Sequence, residues 1–455
     1  MGLKQVKVGV NDLVLGMFVS GLDRPWTQTP FPLQGFYLRD LEEINQLKRY
    51  CKHVYIDVQK GKGPANRPHS LAPIPRKKTE APERSPSNQP LDVKVSPLKV
   101  RHNVYSHYTP LKNEVEAARA LNQRVAKAIS EIDEGLASLD TQVLSNTRKV
   151  AGEMVDSVLR NPDALSWLNR VRDADEHSYS HSVRSAIWAI LFGRYIGLSK
   201  KDLDVLTFGV LLKDVGKVKL DAALLRKDNR SDEEELEYEK FVLYGVEILR
   251  KSRQVEPRAV AVVHSHCERI NGSGFPQHLK GDKIPVLGRI AGLVSFYDEI
   301  SNPRNNSKAL SPSRAVARLY ELRNVAFQED LTVEFIRAIG LYPTGTLVEL
   351  SSGEVAVVVE QNFERRLKPK VMLVLDKDKQ PLKKQVVVDL AKKDIRLQKQ
   401  IDKGKKRLQD VDRIEISHDL EPSSYPVDIA KVRDDYLFST QRKGILGRIK
   451  HSLMG

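Results

Sequence analysis

The sequence predicts a mainly α protein: a helical bundle core preceded by a small N-terminal α/β domain and followed by a small C-terminal antiparallel β unit. Three observations carry that prediction. Between about Asn113 and Leu341 apolar residues recur three and four apart, as Leu121, Val125, Ala128, Ile129 and Ile132 do, which is the period of a helix with one buried face. On both sides the period shortens to two, in VKVGV near the N-terminus and in TGTLVELSSGEVAVVVEQN after Pro343. Between the first domain and the helices periodicity disappears.

Residues 1–60 read as strand, turn, helix, strand: VKVGV alternates, DLEEINQLKRYC is amphipathic, and HVYID is a short β-prone run. Residues 61–112 read as a flexible linker. Between Gly61 and Pro97 eight prolines (64, 68, 73, 75, 82, 86, 90 and 97) stand among Lys, Arg, Ser and Asn, and such a segment buries too little surface to offset its chain entropy. Residues 113–342 form the helical core. In 343–392 the Ser-Ser-Gly turn joins two alternating runs, and KVMLVLD and QVVVDLA add two more strands. Residues 393–455 read as a charged tail ending in GILGRIKHSLM, where Ile445, Leu446, Ile449 and Leu453 share one helical face beside Arg448 and Lys450. That face suits either the protein's own body or a membrane surface.

Composition narrows the class. Hydrophobic residues are 40% and charged residues 29%, too polar for a membrane-embedded chain. The longest apolar run, AIWAILFG from Ala186 to Gly193, is far shorter than the roughly 20 residues of a spanning helix. Residues 1–20 lack a signal pattern, so a cytoplasmic location is expected. Cys51 and Cys267 form no CxxC motif and exclude a disulfide framework. The net charge of +15 favours anionic partners, although much of it sits in segments that read as solvated. The basic runs Arg76–Lys78 and Lys403–Arg407 lack aromatic interleaving, so no nucleic acid is expected. No GxSxG elbow supports serine hydrolase chemistry.

Three stretches of the core belong together: HSYSHSVRSA (177–186), LLKDVGK (211–217) and HCERINGSGFP (266–276) leading into LKGDKIPVLGRI. In order and spacing they resemble the HD-GYP family of bacterial cyclic di-GMP phosphodiesterases over about residues 113–342. GMFVSGLDRPWTQTPF is similar to the small domain often found ahead of HD-GYP domains, and YPTGTLVELSSGEVAVVVE to the segment that often follows them.

In that family a cluster of two or three metals, usually iron or manganese, clamps a phosphodiester and supplies hydroxide. Carried over position by position, the resemblance implies a degenerate ligand set. The leading acid is His177, the helix His is kept as His181, the His of the His-Asp pair is Lys213, and Asp214 is kept. The next His is Phe241, the His pair is His266 and Cys267, and the final Asp is Ser295. An ammonium at a ligand position repels a dication: at an effective dielectric near 20, two unit charges 4 Å apart interact by about 4 kcal/mol. Lys213 is expected to pair with Asp214 in place of the lost cation.

The resemblance also places phosphate-binding cations at Lys217, Arg304 and Lys308. The GYP-like loop retains Gly272, Gly274 and Pro276, with Phe275 for Tyr. Three functional readings stand side by side. The first is an inactive signalling protein that binds cyclic di-GMP or a protein partner such as a GGDEF domain, with no cofactor. The second is a residual phosphodiesterase holding one divalent metal (Fe, Mn or Zn) on His177, His181, Asp214, His266 and Cys267. The third is an interaction scaffold without nucleotide.

Overall fold

The computed structural model describes residues 5–24, 35–38, 41–58, 61–63, 95–105, 108–134, 141–170, 181–227, 229–303, 309–362, 365, 367–402, 414–421 and 424–438. The sequence features proposed at His177, Arg304, Lys308, both basic runs and the GILGRIKHSLM helix lie outside them. The chain divides into two units, one of residues 1–88, 362–369 and 389–416, the other of residues 89–361, 370–388 and 417–455.

The first unit contains strands β1 (Gln5–Gly9), β2 (Phe18–Leu22) and β3 (Phe36–Tyr37), helix α1 (Leu41–Tyr50) and strand β4 (His53–Asp57). They form an antiparallel sheet of order β1-β4-β2-β3, with Val8 opposite Val54 and Val6 opposite Ile56. Met17, Val19, Leu38, Leu47, Val54 and Ile56 are fully buried in one core beneath α1. The expected strand, helix and strand are β1, α1 and β4. Strands β2 and β3 were not expected, because β2 carries a bulge between Val19 and Gly21 and β3 is only two residues long.

The second unit carries the helices. In order they are α2 (Leu111–Glu134), α3 (Thr141–Arg160), α4 (Pro162–Arg170), α5 (His181–Tyr195), α6 (Lys200–Leu212), α7 (Ala222–Arg226), α8 (Asp232–Glu239), α9 (Phe241–Ser252), α10 (Pro257–Ser265), α11 (Val286–Ser301), α12 (Pro312–Glu321) and α13 (Glu329–Ile339). Helix α5 is the axis of the bundle. It is apolar or small on every side, so it must be surrounded, and α4, α6, α11 and α13 all pack on it. Trp188 and Phe192 on α5 make edge-to-face contacts with Tyr297 of α11 and Phe335 of α13, at 5.3 and 5.4 Å between centroids.

Strands β5 (Leu347–Leu350), β6 (Val355–Glu360), β7 (Lys370–Leu375), β8 (Pro381–Asp389) and β9 (Ile416–Asp419) form a sheet of order β8-β7-β6-β5-β9. Strand β6 is buried along nearly its whole length, as a central strand rich in valine should be. Two departures from expectation follow. The segment expected as a charged tail contributes helix α14 (Leu390–Asp402) and the edge strand β9, whose Asp419 accepts from the Ser313 backbone N–H at 2.8 Å. The end of the expected linker is docked: Ser96 donates through its backbone N–H (2.9 Å) and hydroxyl (2.6 Å) to Asp282, and Tyr105 donates to the Leu198 carbonyl at 2.7 Å. Polar side chains meeting orphan backbone groups hold this strap, a signal that apolar periodicity does not register.

The LLKDVGK stretch turns from α6 into a single 3-10 turn, Val215–Lys219, which lies against α9 at Gly216. A Cβ at Gly216 would fall 1.9 Å from the Phe241 carbonyl oxygen and 2.3 Å from the Gly245 nitrogen. Gly216→Ala is therefore expected to destabilise the protein by about 2–3 kcal/mol. Urea denaturation measures this, and an unchanged midpoint would mean that the two backbones can part at no cost.

Candidate functional site

The motifs that carry the resemblance sit at helix ends. His181 opens α5, Lys213 is the C-terminal cap of α6, Phe241 opens α9, and His266 is the C-terminal cap of α10. Ser295 and Asp298 lie one turn apart on α11. Because α5 is enclosed by its neighbours, these ends converge around its first turn.

Asp214 is the focus. Its carboxylate is paired with the Lys213 ammonium, with Lys217 Nζ at 2.6 Å, and with the Ser182 hydroxyl, which donates at 2.9 Å. Lys213 is only 1% exposed. Lys217 is not extended into solvent either: its ammonium lies 4.8 Å from the Phe241 ring centre and 5.7 Å from that of Tyr238. One carboxylate thus neutralises part of two ammonium charges that have little water of their own.

A second network holds His181. Its Nδ1 lies 2.8 Å from Asp298 Oδ2, and since a carboxylate only accepts, Nδ1 carries the proton and Nε2 the lone pair. Asp298, fully buried, also accepts from Arg184 Nε at 2.9 Å and from Asn302 Nδ2 at 3.0 Å. Burial by itself would raise the Asp298 carboxyl, but the His181 hydrogen bond and the Arg184 guanidinium outweigh it and hold it below the ordinary carboxylate range. His181 is pushed below its usual value by burial and then by the Lys213 charge.

His266 is locked by Nδ1–H donating to the Val263 carbonyl at 2.7 Å, while its Nε2 lies 3.3 Å from Cys267 Sγ. Burial first, then the charge on Lys213, lowers His266 to about 3. Burial raises the Cys267 thiol to about 12, so it stays protonated near neutrality. A metal ligand would be the thiolate. Cys267, Phe275, Leu220 and Phe241 join one apolar cluster instead, with the Phe241 ring 5.9 Å from His266 and 6.1 Å from Phe275. The GYP-like loop closes over this cluster. Buried Glu268 accepts from the Gln277 and Leu279 N–H groups at 2.8 and 2.9 Å, and a Cβ at Gly274 would meet the Cys267 carbonyl oxygen at 2.3 Å.

These residues do not fit a metal cluster. Asp214 is engaged by two ammonium groups and a hydroxyl, Phe241 offers no donor, and the buried Ser295 hydroxyl has no hydrogen-bond partner among the described residues. Among the described residues no three His, Cys, Asp or Glu side chains form a group able to hold a metal ion. Sequence reasoning named His181, Lys213, Asp214, Lys217, Phe241, His266 and Cys267, and the structure brings them together, with Ser295 buried on α11. It missed Asp298, Arg184 and Ser182. The available signal was an acid and an arginine inside otherwise apolar helices, since such a residue must find a partner.

A helical bundle that draws together His181, the Asp of the LLKDVGK turn and a second, buried imidazole has the arrangement of an HD domain. Residues 168–331 match the HD domain family, residues 5–138 a domain of unknown function, DUF3391, and residues 347–405 a KOW domain associated with the HD domain. The chain thus carries an HD domain with a DUF3391 domain ahead of it. It is 29% identical over 385 residues to a cyclic di-GMP phosphodiesterase of Pseudomonas aeruginosa, covering 84% of this chain and 88% of that protein. It is 30% identical over 180 residues to a 3'3'-cGAMP-specific phosphodiesterase of Vibrio cholerae, covering 39% of this chain and 34% of that one. A solved HDG"Y"P protein from Bdellovibrio bacteriovorus aligns with a TM-score of 0.42 at 16% identity, over 73% of this chain and 98% of its own. No helix among the described residues is long and apolar enough to cross a membrane.

Two outcomes test this geometry. Lys213→Met keeps the volume but removes the charge, leaving Asp214 with Lys217 and Ser182, and is expected to cost about 3 kcal/mol. Thermal or urea unfolding within 0.5 kcal/mol of wild type would show the pair to be dispensable. Because His181 and His266 titrate lower in the folded than in the unfolded protein, the unfolded chain binds more protons below the ordinary histidine value of 6.5. Their contribution to stability is complete above pH 6.5 and is lost as pH falls from there towards about 3. The melting temperature should drop across that window, and His266→Gln should flatten the drop; equal slopes in the two proteins would contradict it.

Proposed function

We propose that this chain is an HD-GYP signalling domain that binds cyclic di-GMP without hydrolysing it and works with no metal cofactor. One observation carries the proposal: the carboxylate that a dication would need, Asp214, is already neutralised by Lys213 and Lys217. Bringing a metal to Asp214 would require displacing a buried ammonium that repels the incoming ion. Without metals there is no low-pKa water to attack a phosphodiester, and the thiol beside His266, that of Cys267, is held protonated by burial.

Binding is a separate matter from cleavage. Around the first turn of α5 the ammonium of Lys217 is the least enclosed of the described cations, more so than Lys213 or Arg184. A phosphodiester anion can be met there through charge-assisted hydrogen bonds, which need no metal. Arg304 and Lys308, placed by the family resemblance after α11, are assigned to the same anion. The loop at 272–276, whose shape is held by Glu268 and by the close approach at Gly274, is assigned to contact with a protein partner, such as a GGDEF domain.

Protein purified without chelators should contain less than about a tenth of an equivalent of iron, manganese or zinc, and should release no linear product from cyclic di-GMP. Calorimetric titration should show saturable cyclic di-GMP binding, weakened about tenfold in Arg304→Ala. Two bound irons or manganeses with measurable turnover would overturn the reading and restore the phosphodiesterase. Absence of both metal and nucleotide binding would leave the interaction scaffold.

A further inference from the structure

The helical bundle and the C-terminal sheet of the second unit line a partly open cavity of about 120 Å³. Ile187 and Trp188 of α5, Tyr297 of α11 and Leu347 of β5 form its apolar walls, and Ser301, Asn302 and Arg184 supply its polar edge. The Trp188 and Tyr297 rings stand nearly perpendicular, 87° apart, and so offer two aromatic surfaces to one occupant.

Two features set this cavity apart from a packing fault. The Ser301 hydroxyl is buried in its lining with no hydrogen-bond partner among the described residues, an arrangement that close-packed interiors avoid unless something else supplies the partner. Two of its polar wall residues, Arg184 and Asn302, are also the side chains that grip Asp298, which in turn holds His181. The cavity and the HD site therefore share the Asp298 network.

We propose that this cavity is a binding site for a small single-ring aromatic molecule bearing one hydrogen-bonding group, and that its occupancy is felt at His181 through Asn302, Arg184 and Asp298. The size fits: a closed apolar cavity of roughly 150 Å³ accepts benzene. The ring lies between Trp188, Tyr297 and Ile187, and the polar group meets Ser301. Occupancy that shifts Asn302 or Arg184 alters the hold on Asp298 and hence the orientation of the His181 ring. The regulatory part rests on the proposed cyclic di-GMP reading, since any effect on nucleotide affinity must be matched by an equal effect of nucleotide on the aromatic ligand.

Phenol and toluene serve as probes on the full chain. Phenol should bind saturably by ligand-observed NMR and calorimetry, and about fivefold more tightly than toluene, the worth of one net hydrogen bond. Ser301→Ala should remove that preference and leave toluene binding unchanged. Ile187→Phe, and separately Leu347→Trp, should fill the space and abolish binding of both probes in protein that melts cooperatively. In histidine-labelled protein, phenol should shift the His181 ring resonances. Lack of saturation, or undiminished binding in a folded cavity-filling variant, would overturn the site; saturable binding with unmoved His181 resonances would overturn the coupling. Neither result depends on whether cyclic di-GMP binds, so failure of the aromatic site and failure of the nucleotide reading remain distinguishable.

Discussion

A carboxylate and an ammonium that are neighbours in sequence and almost wholly removed from water govern the centre of this protein. Taking either charge into the bundle alone would cost several kcal/mol, so each is tolerable only because the other is there. Once Lys213 occupies this place, much of the surrounding chemistry is constrained. Its field and the dry surroundings keep both imidazoles neutral, and Lys217 completes the neutralisation of Asp214 while resting on the Phe241 ring. Beside them Phe241, Cys267 and Phe275 close a common apolar cluster.

Helix α5 explains how the two polar networks coexist inside an apolar bundle. Its first turn presents His181 and Arg184 towards Asp298, and Ser182 towards Asp214. Residues of the same turn thus serve two carboxylates from two other elements, while the rest of the helix packs and, at its far end, Arg194 donates to the Tyr105 carbonyl at 2.9 Å. Buried polar networks are stable when every member is satisfied, and here the networks tie α5 to the end of α6 and to α11 at fixed register. The family's loop persists on similar terms: Glu268 and the glycines fix its shape from within the protein.

Family membership and site geometry answer different questions. The domain order is DUF3391, HD and KOW, and the likeness to a Pseudomonas aeruginosa cyclic di-GMP phosphodiesterase runs along most of both chains. Family membership does not carry activity with it, because the chemistry resides in particular side chains grafted on the fold. Here those side chains are paired with one another.

Much was legible in the sequence because it is local. A period of three to four marks a buried helix face and a period of two marks a strand, so the helical core, α1, β1, β4 and the β5 to β8 strands could be read directly. The adjacent Lys213 and Asp214 announced their own pairing. What could not be read is what joins distant residues or is too short to have a period. Strand β3 has two residues, β9 is a polar ISHD edge, and the 95–105 strap is fixed by single hydrogen bonds such as Ser96 to Asp282. Asp298 meets His181 across 117 positions of chain, a contact that exists only because α5 and α11 pack side by side. The sequence by itself determined which segments form helices and strands and which proteins they resemble, since patterning and residue identity are properties of the chain. Only the tertiary structure decided which charges neutralise one another and where a cavity is left, since Coulomb energy and packing depend on distance in space.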